Sequence, residues 1–401
     1  MSWPQRPLAE VADFCLGKML DQKKNRGELM PYLANVNVRW GQFDLENLRE
    51  MRFEPGELER YGLKPGDIVM CEGGEPGRCA IWKDQVPGMM LQKALHRIRP
   101  HDCLDSRFLY YSFLKKGKNN ELAGFFTGST IKHLPRQKLA LVKVEVPPLA
   151  VQRSIADTLS AYDDLIENNR RRIALLEEAA RVLYREWFVH LRFPGHEHAT
   201  ITDGLPEGWA RRTFDEVCDS IGGGTPKTGK PEYWTDGDIP WYTPTDITRN
   251  SCLALLDSAT KITEAGLGGS SAKMLPAGTV LMTSRASVGF FGVIDTPACT
   301  NQGFISIVPH ESRSRMYLLY NLMHRVEEIR SYAGGATYKE ISKGKFRALP
   351  VVLPTATLLR EFEELASRFH NQVRTLHVQN QKLAQARDLL LPRLMNGEIA
   401  V

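Results

Sequence analysis

The sequence contains the same pattern twice, and this internal repeat restricts what the chain can fold into. Recurring residues lie about 206 to 212 positions apart, and each copy fills about half of the 401 residues. The recurring positions are Trp3, Glu10, Val11, Asp13, Leu63, Gly66, Met70, Gly77, Gly128, Thr130, Lys132, Lys138 and Pro147 in the first copy, and Trp209, Glu216, Val217, Asp219, Leu275, Gly278, Met282, Gly289, Gly335, Thr337, Lys339, Lys345 and Pro354 in the second. The repeat predicts two whole domain-and-helix units in tandem, because solenoid repeats are far shorter. Two similar units in one chain mimic a twofold dimer and suit a ligand with two related halves.

The overall composition is that of a soluble protein. Hydrophobic residues make up 42% and charged residues 25% of the chain, which is long enough for two or three domains. The net charge of +5 permits nucleic-acid binding without establishing it. No apolar run approaches the roughly 18 to 20 residues of a membrane span, and the first residues lack a secretory signal. Seven scattered cysteines without a C-x-x-C pair indicate reduced thiols, so we expect a cytoplasmic protein.

Two long segments carry the seam of a coiled coil. The stretch between Pro148 and Pro194 has no proline or glycine, and apolar residues recur there at alternating steps of four and three. The same seam returns in the second copy. Its members are Ile155, Leu159, Tyr162, Ile166, Asn169, Ile173, Leu176, Ala180, Leu183 and Trp187, then Phe362, Ala366, Phe369, Val373, Leu376, Asn380, Leu383, Arg387, Leu390 and Leu394. We predict two antiparallel helices of about 35 residues each that pair with one another; the alternative is that each helix packs only on its own domain.

The end of the second helix differs from that of the first. Pro392 removes one backbone hydrogen bond and should kink the last turns, and Gly397 should stop the helix.

The remaining segments predict an α+β fold. We expect globular domains at residues 1–148 and 201–354, joined by a central helix and linker at 149–200 and followed by a C-terminal helix at 355–401. Each domain opens with a short helix-like stretch, LAEVADF or FDEVCDS. Short apolar runs then predict a mostly antiparallel sheet. These runs are DIVMCEG, RCAIW and ALHRIRP in the first copy, and TVLMTS, GVIDT and FISIVP in the second. An aromatic-rich helix and a final strand before the long helix complete each copy.

Several motifs together resemble a known family. The segment YREWFVHLRFPG, the terminal LLLPRLMNGEI and above all GGTPxxxxxxYWxxGDIPW at Gly223–Trp241 are similar to the specificity subunit of type I restriction–modification enzymes. The resemblance covers essentially the whole chain, although the first copy lacks the GGTP signature. It implies two target-recognition domains that are related by a pseudo-twofold axis and that each read one part of a split DNA site. It also implies that the helices set the distance between these parts and bind two methyltransferase subunits. We expect the helices to hold the two halves about one helical turn of DNA or more apart, near 34 Å centre to centre. Motor–nuclease subunits would join through the complex.

Motifs for catalysis are missing from the sequence. There is no G-x-G-x-x-G after a strand, and no Asp/Asn-Pro-Pro-aromatic tetrapeptide of an amino-methyltransferase. The run Gly224–Lys230 approaches a phosphate-binding loop, but Pro231 stands where the hydroxyl residue should be. His196 and His198 flank Glu197 without further ligands, which indicates a solvated linker. We therefore expect no catalytic residue, no metal and no cofactor in this chain.

Polar residues of the repeated loops are the candidates for DNA contact, with recurrence favouring Thr130, Lys132 and Lys138 and their counterparts. Taken singly, a Lys or Arg is more often a solvated surface charge. The predicted contacts are Lys23, Lys24, Arg26, Arg78, Thr130, Lys132, Arg136, Lys138, Thr225, Lys227, Tyr242, Thr243, Asp246, Ser284, Arg285, Thr337, Tyr338, Lys339, Lys343 and Lys345. Further candidate cations are Lys115, Lys116 and Lys118, while Gln92 and Asn301–Gln302 could pair with adenine or cap a strand end.

A last group of apolar residues is assigned to subunit docking. Tyr184, Trp187, Phe188, Leu391 and Leu394 need cover, from a partner chain or from the adjacent globular half. We therefore predict that the protein binds double-stranded DNA and partner subunits. The other functional hypothesis is a coiled-coil adaptor for protein partners that never reads bases.

Overall fold

The structure is a computed structural model that describes residues 3–21, 25–335 and 339–399. It divides into two compact units: the first contains residues 1–166 and 382–401, and the second contains residues 167–381. The division therefore falls inside the two long helices, whereas the predicted boundaries at 148, 200 and 354 separated the helices from the globular parts. Each unit contains one globular part and a portion of both helices.

The first unit is built on an antiparallel sheet of four strands. In sheet order these strands are Ala12–Leu16, Leu95–Pro100, Ile68–Cys71 and Cys79–Ile81. A second sheet contains Arg49–Phe53, Glu28–Leu33 and Met90–Leu91, and two ribbons pair Gln5–Pro7 with Lys143–Glu145 and Val38–Arg39 with Gln42–Phe43. The helices of the globular part are Pro55–Tyr61, Ser106–Lys118 and Arg136–Ala140, with short 3-10 turns at Leu8–Glu10, Asn35–Asn37 and Ala123–Phe125.

The second unit repeats this plan with a sheet of five strands. In sheet order they are Cys218–Gly222, Phe304–Pro309, Val280–Thr283, Phe291–Ile294 and Ala254–Leu255, antiparallel except for the last pair. Smaller sheets contain Lys261–Ile262, Ile239–Tyr242 and Cys299–Thr300, Ala210–Thr213 with Pro350–Leu353, and Ile201–Thr202 with Leu205–Pro206. The helices are Phe214–Val217, Pro244–Arg249, Glu264–Gly268, Arg315–His324, Val326–Ser331 and Lys343–Arg347, with 3-10 turns at His196–His198, Pro231–Tyr233 and Ser312–Ser314.

The central strands of both sheets are buried on both faces, which explains their continuous apolar sequence. Successive side chains of a strand point to opposite faces. In Ile68–Cys71, Ile68 and Met70 therefore join the core beneath the helix Ser106–Lys118, while Val69 and Cys71 join a separate core with Trp82. In the strand Val280–Thr283, Val280 and Met282 likewise join one core and Leu281 joins another. The predicted α+β class and antiparallel sheets are confirmed.

The openings of the two copies differ from the prediction. Only Leu8–Glu10 and Phe214–Val217 are helical, and the residues that follow form strands. The strand Ala12–Leu16 pairs with Leu95–Pro100 along its whole length, and Cys218–Gly222 pairs likewise with its neighbour. A single helical turn makes few internal hydrogen bonds. The residues that follow it are therefore stabilised more by pairing with a neighbouring strand than by continuing the helix.

The long helices are Leu149–Tyr184, which continues as one π-helical turn, Arg185–Val189, and Ala356–Met395. In the second unit Asn169 contacts Asn380, and the rings of Trp187 and Phe362 lie 6.0 Å apart. Partner numbers fall along one helix as they rise along the other. The two segments of that unit are therefore antiparallel.

The first unit shows the same antiparallel pairing. Asp163 accepts a hydrogen bond from Arg387, and Leu159 and Leu391 share one core. The predicted association of the two helices is confirmed in each unit.

The ends of the seam also join the globular cores, so each helix packs on its own globular part as well as on the other helix. Ile155 and Leu159 pack in the core that holds Phe108. All of the predicted seam residues are buried or half-buried. In the middle of the seam in the second unit, Ile173, Val373 and Leu376 pack together and also against Cys252 and Ala254 of the globular part.

The last helix continues through Pro392 to Met395. It ends where predicted, because Gly397 adopts a φ of 70° and its amide donates to the carbonyl of Leu394 over 3.0 Å. Among the described residues, no helix combines the length and the apolar character needed to cross a membrane.

Candidate nucleic-acid interface

In the second unit, several loops with predicted DNA contacts leave the same edge of the five-stranded sheet. The register pairs Gly222 with Ile305 and Thr283 with Phe304. Antiparallel neighbours therefore bring the loop after Gly222, the loop after Thr283 and the loop before Phe304 together. Thr225 and Gln302, from two of these loops, are joined by a hydrogen bond of 2.6 Å.

The GGTP signature is explained by close packing of its backbone. A Cβ atom on Gly223 would lie 2.1 Å from the carbonyl oxygen of Thr300, so only glycine fits there. The amide of Gly224 donates to the same carbonyl over 2.9 Å, and the Gly224 carbonyl accepts a hydrogen bond from the indole of Trp241. The motif thus holds a loop in place, and its exposed residues, Thr225 and Lys227, face solvent.

The first unit keeps this loop geometry without the signature. A Cβ atom on Gly17 would lie 2.5 Å from the carbonyl of Leu91, and the amide of Lys18 donates to that carbonyl over 2.8 Å. The Lys18 side chain, however, is buried and forms an ion pair of 2.5 Å with Glu57. Burial raises the pKa of Glu57, but hydrogen bonds from Lys18 and from the Glu54 amide outweigh it and leave this pKa below its ordinary value. One glycine is therefore the shared requirement, and the rest of the loop is free to diverge.

A small hairpin stands beside this edge in the first unit, and the second unit has the equivalent pair of bridged ends, between which residues 336–338 lie outside the described residues. In the first unit the backbones of Thr127 and His133 exchange two hydrogen bonds of 2.8 Å, and His133 also bridges to Gly73. In the second unit Gly334 and Glu340 exchange bonds of 3.1 and 2.9 Å, and Glu340 bridges to Arg285. The two bridged pairs are 207 residues apart and occupy equivalent places.

Exposed basic residues surround each bridged pair. Thr130, Lys132, Arg136 and Lys138 are exposed in the first unit, with the Arg136 guanidinium 5.5 Å from the ring of Phe14. In the second unit Arg285, Lys339, Lys343 and Lys345 are exposed. Arg285 approaches Glu340 at 3.8 Å, and the Lys345 ammonium donates to the carbonyl of Tyr332.

Four predicted contacts have other roles in the structure. Tyr242 and Ser284 are buried, with 1% and 3% of their surface exposed, so they cannot reach DNA from this fold. Thr243 caps the helix Pro244–Arg249, and both its amide and its hydroxyl donate to Asp246 over 2.7 Å. Asp246 uses its other oxygen on the amide of Ala259. A capping box resembles a polar binding loop in sequence, and the cap alone accounts for Thr243 and Asp246 at these positions.

Arg78 and the lysines of the first unit are also corrected. Arg78 donates to Glu75 over 2.6 Å and to the carbonyl of Asn35, and 14% of its side chain is exposed. Lys115 and Lys116 are buried beside Glu145, and Lys118 pairs with Asp388. Burial raises the pKa of Glu145, but the two lysines hold it below its ordinary value. These cations therefore stabilise the fold.

Other predicted contacts remain predictions. Arg26 is exposed. Lys23, Lys24, Thr337 and Tyr338 lie outside the described residues.

The residues assigned to subunit docking are instead part of the chain's own core. Tyr184, Trp187, Leu391 and Leu394 have 1% to 8% of their surface exposed. Phe188 is half-buried between Tyr317 and Phe362, with ring centroids 4.8 and 5.0 Å away. The alternative of packing against the adjacent globular part is thus the correct one.

Comparison with known proteins identifies the fold and the family. The family described as Type I restriction modification DNA specificity domain matches the chain twice, over residues 2–178 and 206–386. The chain belongs to this family. Each match covers one copy of the internal repeat, as expected from the sequence.

Individual relatives agree with this assignment. The HindI specificity subunit of Haemophilus influenzae is 20% identical over 434 residues, which cover 91% of this chain and 92% of that protein. The MjaIX specificity subunit of Methanocaldococcus jannaschii is 29% identical over 181 residues, covering 45% of this chain and 42% of that protein. The crystal structure of a type I restriction–modification S subunit from M. genitalium has the same fold, with a TM-score of 0.57 at 18% identity over 98% of this chain and 96% of that one.

Two residues of this surface were not predicted from the sequence. Trp40 and Ile131 have 37% and 65% of their surface exposed, and both line a cleft with Thr130 and Lys132. The available signal was the Trp40–Gly41 pair between two short strands, which is typical of a tight hairpin turn.

Proposed function

We propose that this protein is the non-catalytic DNA-specificity subunit of a type I restriction–modification complex, and that each unit reads one part of a bipartite target. The observation that carries the proposal is the repeated backbone bridge, Thr127 with His133 and Gly334 with Glu340, beside the same sheet edge of each unit. Both bridges are surrounded by exposed lysines. Cations of this kind bind phosphates, while neighbouring side chains reach base edges.

Binding to each half can be tested separately with charge-removing variants. The variant K132A/K138A should weaken binding at the first half-site, and K339A/K343A should weaken it at the second. Each pair should also reduce the slope of log affinity against log salt by up to about 2, because two phosphate contacts are lost. K227A on the GGTP loop tests whether that loop also touches DNA. Affinity that depends on salt alone, and never on sequence, would favour the adaptor function instead.

The two long helices are proposed to set the spacing of the half-sites. Adding four residues to each helix lengthens it by about 6 Å, or at most about two base pairs of DNA. The insertions belong at paired places, between Asn169 and Ile173 and between Leu376 and Asn380. The preferred gap should grow while both half-sequences stay the same. Binding that persists with an unchanged gap would rule out the spacing role.

The partners proposed for the chain are two methyltransferase subunits and, through the complex, motor–nuclease subunits. Since the predicted docking residues are buried, we assign docking to apolar residues that face solvent on the long helices. Leu165, Leu175 and Leu389 are 51%, 70% and 73% exposed. The variants L175K and L389K should abolish co-purification with the methyltransferase subunit, whereas N168K at an exposed polar position should not.

A further inference from the structure

A cleft on the first unit is lined by both apolar and polar side chains. It has a volume of about 680 Å³, and its lining includes Trp40, Leu122, Phe126, Ile131 and Lys132. It lies between three segments: the turn that follows Ile68–Cys71, the residues after the helix Ser106–Lys118, and the hairpin at 127–133. The cleft therefore belongs to the proposed DNA-facing side of the unit.

Trp40 is held rigidly at the mouth of this cleft. It stands with Gly41 in a two-residue turn between Val38–Arg39 and Gln42–Phe43, and Gly41 has a φ of 73°. A Cβ atom on Gly117 would lie 2.6 Å from the Trp40 ring, so the indole packs directly on the helix backbone. A large aromatic surface that stays 37% exposed on such a turn is positioned for contact with a ligand.

Ile131 is displayed in a similar way on the opposite side. It lies in the hairpin that is closed by the two bonds between Thr127 and His133. Gly128 permits the tight turn with a φ of 93°. Between the polar neighbours Thr130 and Lys132, Ile131 is 65% exposed. Exposure of this apolar side chain to water is unfavourable in the free protein. Contact with an apolar group on a ligand would remove the side chain from water and so stabilise the complex.

The polar groups of the cleft narrow the choice of ligand. Arg78 is occupied by Glu75 and the Asn35 carbonyl, so it is not free to form a bidentate pair with guanine. Lys132 is exposed and, among the described residues, has no ion pair, so it can bind a phosphate. Glu75, which pairs with Arg78, and the polar residues Asn120 and Thr130 also line the cleft. Its apolar lining includes Trp40, Leu122, Phe126 and Ile131. Among the base edges in the major groove of DNA, thymine alone presents an apolar group, its 5-methyl.

We propose that the first unit recognises thymine in its half-site through this cleft, with Ile131 and Trp40 contacting the 5-methyl group. This inference rests on the proposed function, because it requires that the surface faces DNA. Ile131 and Trp40 become specificity-determining residues of the first unit.

The test replaces thymine by deoxyuridine, which removes the methyl group alone. The target is first determined by selecting random DNA with the full chain and its co-expressed partner subunits. Each thymine of the first half-site, on either strand, is then replaced in turn. At one position or more, binding should weaken about fourfold, which corresponds to the loss of one buried methyl-sized group.

Variants connect that loss to the cleft. In I131A the same deoxyuridine substitution should have a smaller effect, because Ile131 no longer contacts the methyl group. L141A is the matched control: Leu141 is 60% exposed on the same unit and outside the cleft, so this variant should respond like the unmodified protein. W40A should also reduce the loss of binding that deoxyuridine causes. Thermal unfolding checks that this variant is folded.

The possible results of this test distinguish a failure of the thymine assignment from a failure of the proposed function on which it rests. Sequence-specific binding that is insensitive to deoxyuridine throughout the first half-site, or a half-site without an A·T pair, overturns the thymine assignment and leaves the proposed function intact. An equal response of I131A and unmodified protein overturns the assignment as well. Binding without any sequence preference overturns both.

Discussion

The side-chain amide of Asn169 donates a hydrogen bond to the Oδ1 atom of Asn380 over 3.0 Å, although 211 residues separate them along the chain. The next layer of the same helix pair in the second unit is apolar, with Ile173, Val373 and Leu376. A polar pair within an apolar seam lowers stability but penalises every other register, because a shifted helix would leave both amides without partners.

Replacing one member of this pair should cost more than replacing both. In N380L the amide of Asn169, which is 6% exposed, loses its partner, so the second unit should lose about 1 to 3 kcal/mol. The double variant N169L/N380L should be at least as stable as the unmodified protein. Thermal and urea unfolding measure both effects, with N168L at an exposed position of the same helix as control. A double variant less stable than the unmodified protein would show that the pair contributes net stability.

The end of the second long helix should behave as part of the core of the first unit. Leu391 is 1% exposed and packs with residues of the N-terminal part, whereas Leu389, two positions earlier, is 73% exposed. We expect L391A to destabilise the first unit by about 2 to 5 kcal/mol and L389A to have almost no effect. Calorimetry should show one shifted transition in L391A and a second transition, from the other unit, that stays in place. Equal effects of the two variants would contradict this assignment.

Arg387 was the one charged residue in the predicted seam of the second helix, and the structure gives it partners. It donates to Asp163 and to Asp388, and 15% of its side chain is exposed. Burial lowers the pKa of Arg387, but the two carboxylates outweigh it and hold this pKa above its ordinary value.

The variant R387M should therefore destabilise the first unit by about 2 kcal/mol, between the values for exposed and fully buried pairs. Adding D163N should recover part of this loss, because no carboxylate is then left without its cation. R153M, at an exposed position of the first long helix, is the control. If D163N/R387M proved less stable than R387M, the ion pair would not be the source of the effect.

The second unit should lose stability in mild acid because of His370. Burial lowers its pKa to about 4; nearby Arg315 and Arg374 act in the same direction, and Asp295 opposes them. In the unfolded chain this imidazole takes up a proton near pH 6.5, but in the folded unit it stays neutral until about pH 4. His370 therefore does not destabilise the second unit above pH 6.5. Its destabilising effect grows as the pH falls towards 4, to at most about 3 kcal/mol.

The measurement is the unfolding temperature of the second unit between pH 7 and pH 4.5. The variant H370N should flatten this dependence, whereas H198N, in the exposed turn at 196–198, should not. An H370N profile parallel to that of the unmodified protein would mean that other groups cause the acid sensitivity.

Much of this architecture could be predicted from the sequence alone. The internal repeat, the helix seam with its paired asparagines and the apolar strands follow from spacing, because period and burial are linked in helices and strands. The glycine at Gly223 was recognised within a motif, but its counterpart at Gly17 emerged only from the close approach of Leu91.

Which polar residues are free to act was decided by the tertiary structure. Tyr242, Ser284 and Arg78 looked like contacts, and Trp187 and Leu391 like docking residues, yet all are occupied within the chain itself. Composition and periodicity indicate which side chains are stabilised by burial or by a polar partner. They cannot state whether another segment, often 100 or more residues away, supplies it, because that depends on packing between elements that are distant in sequence.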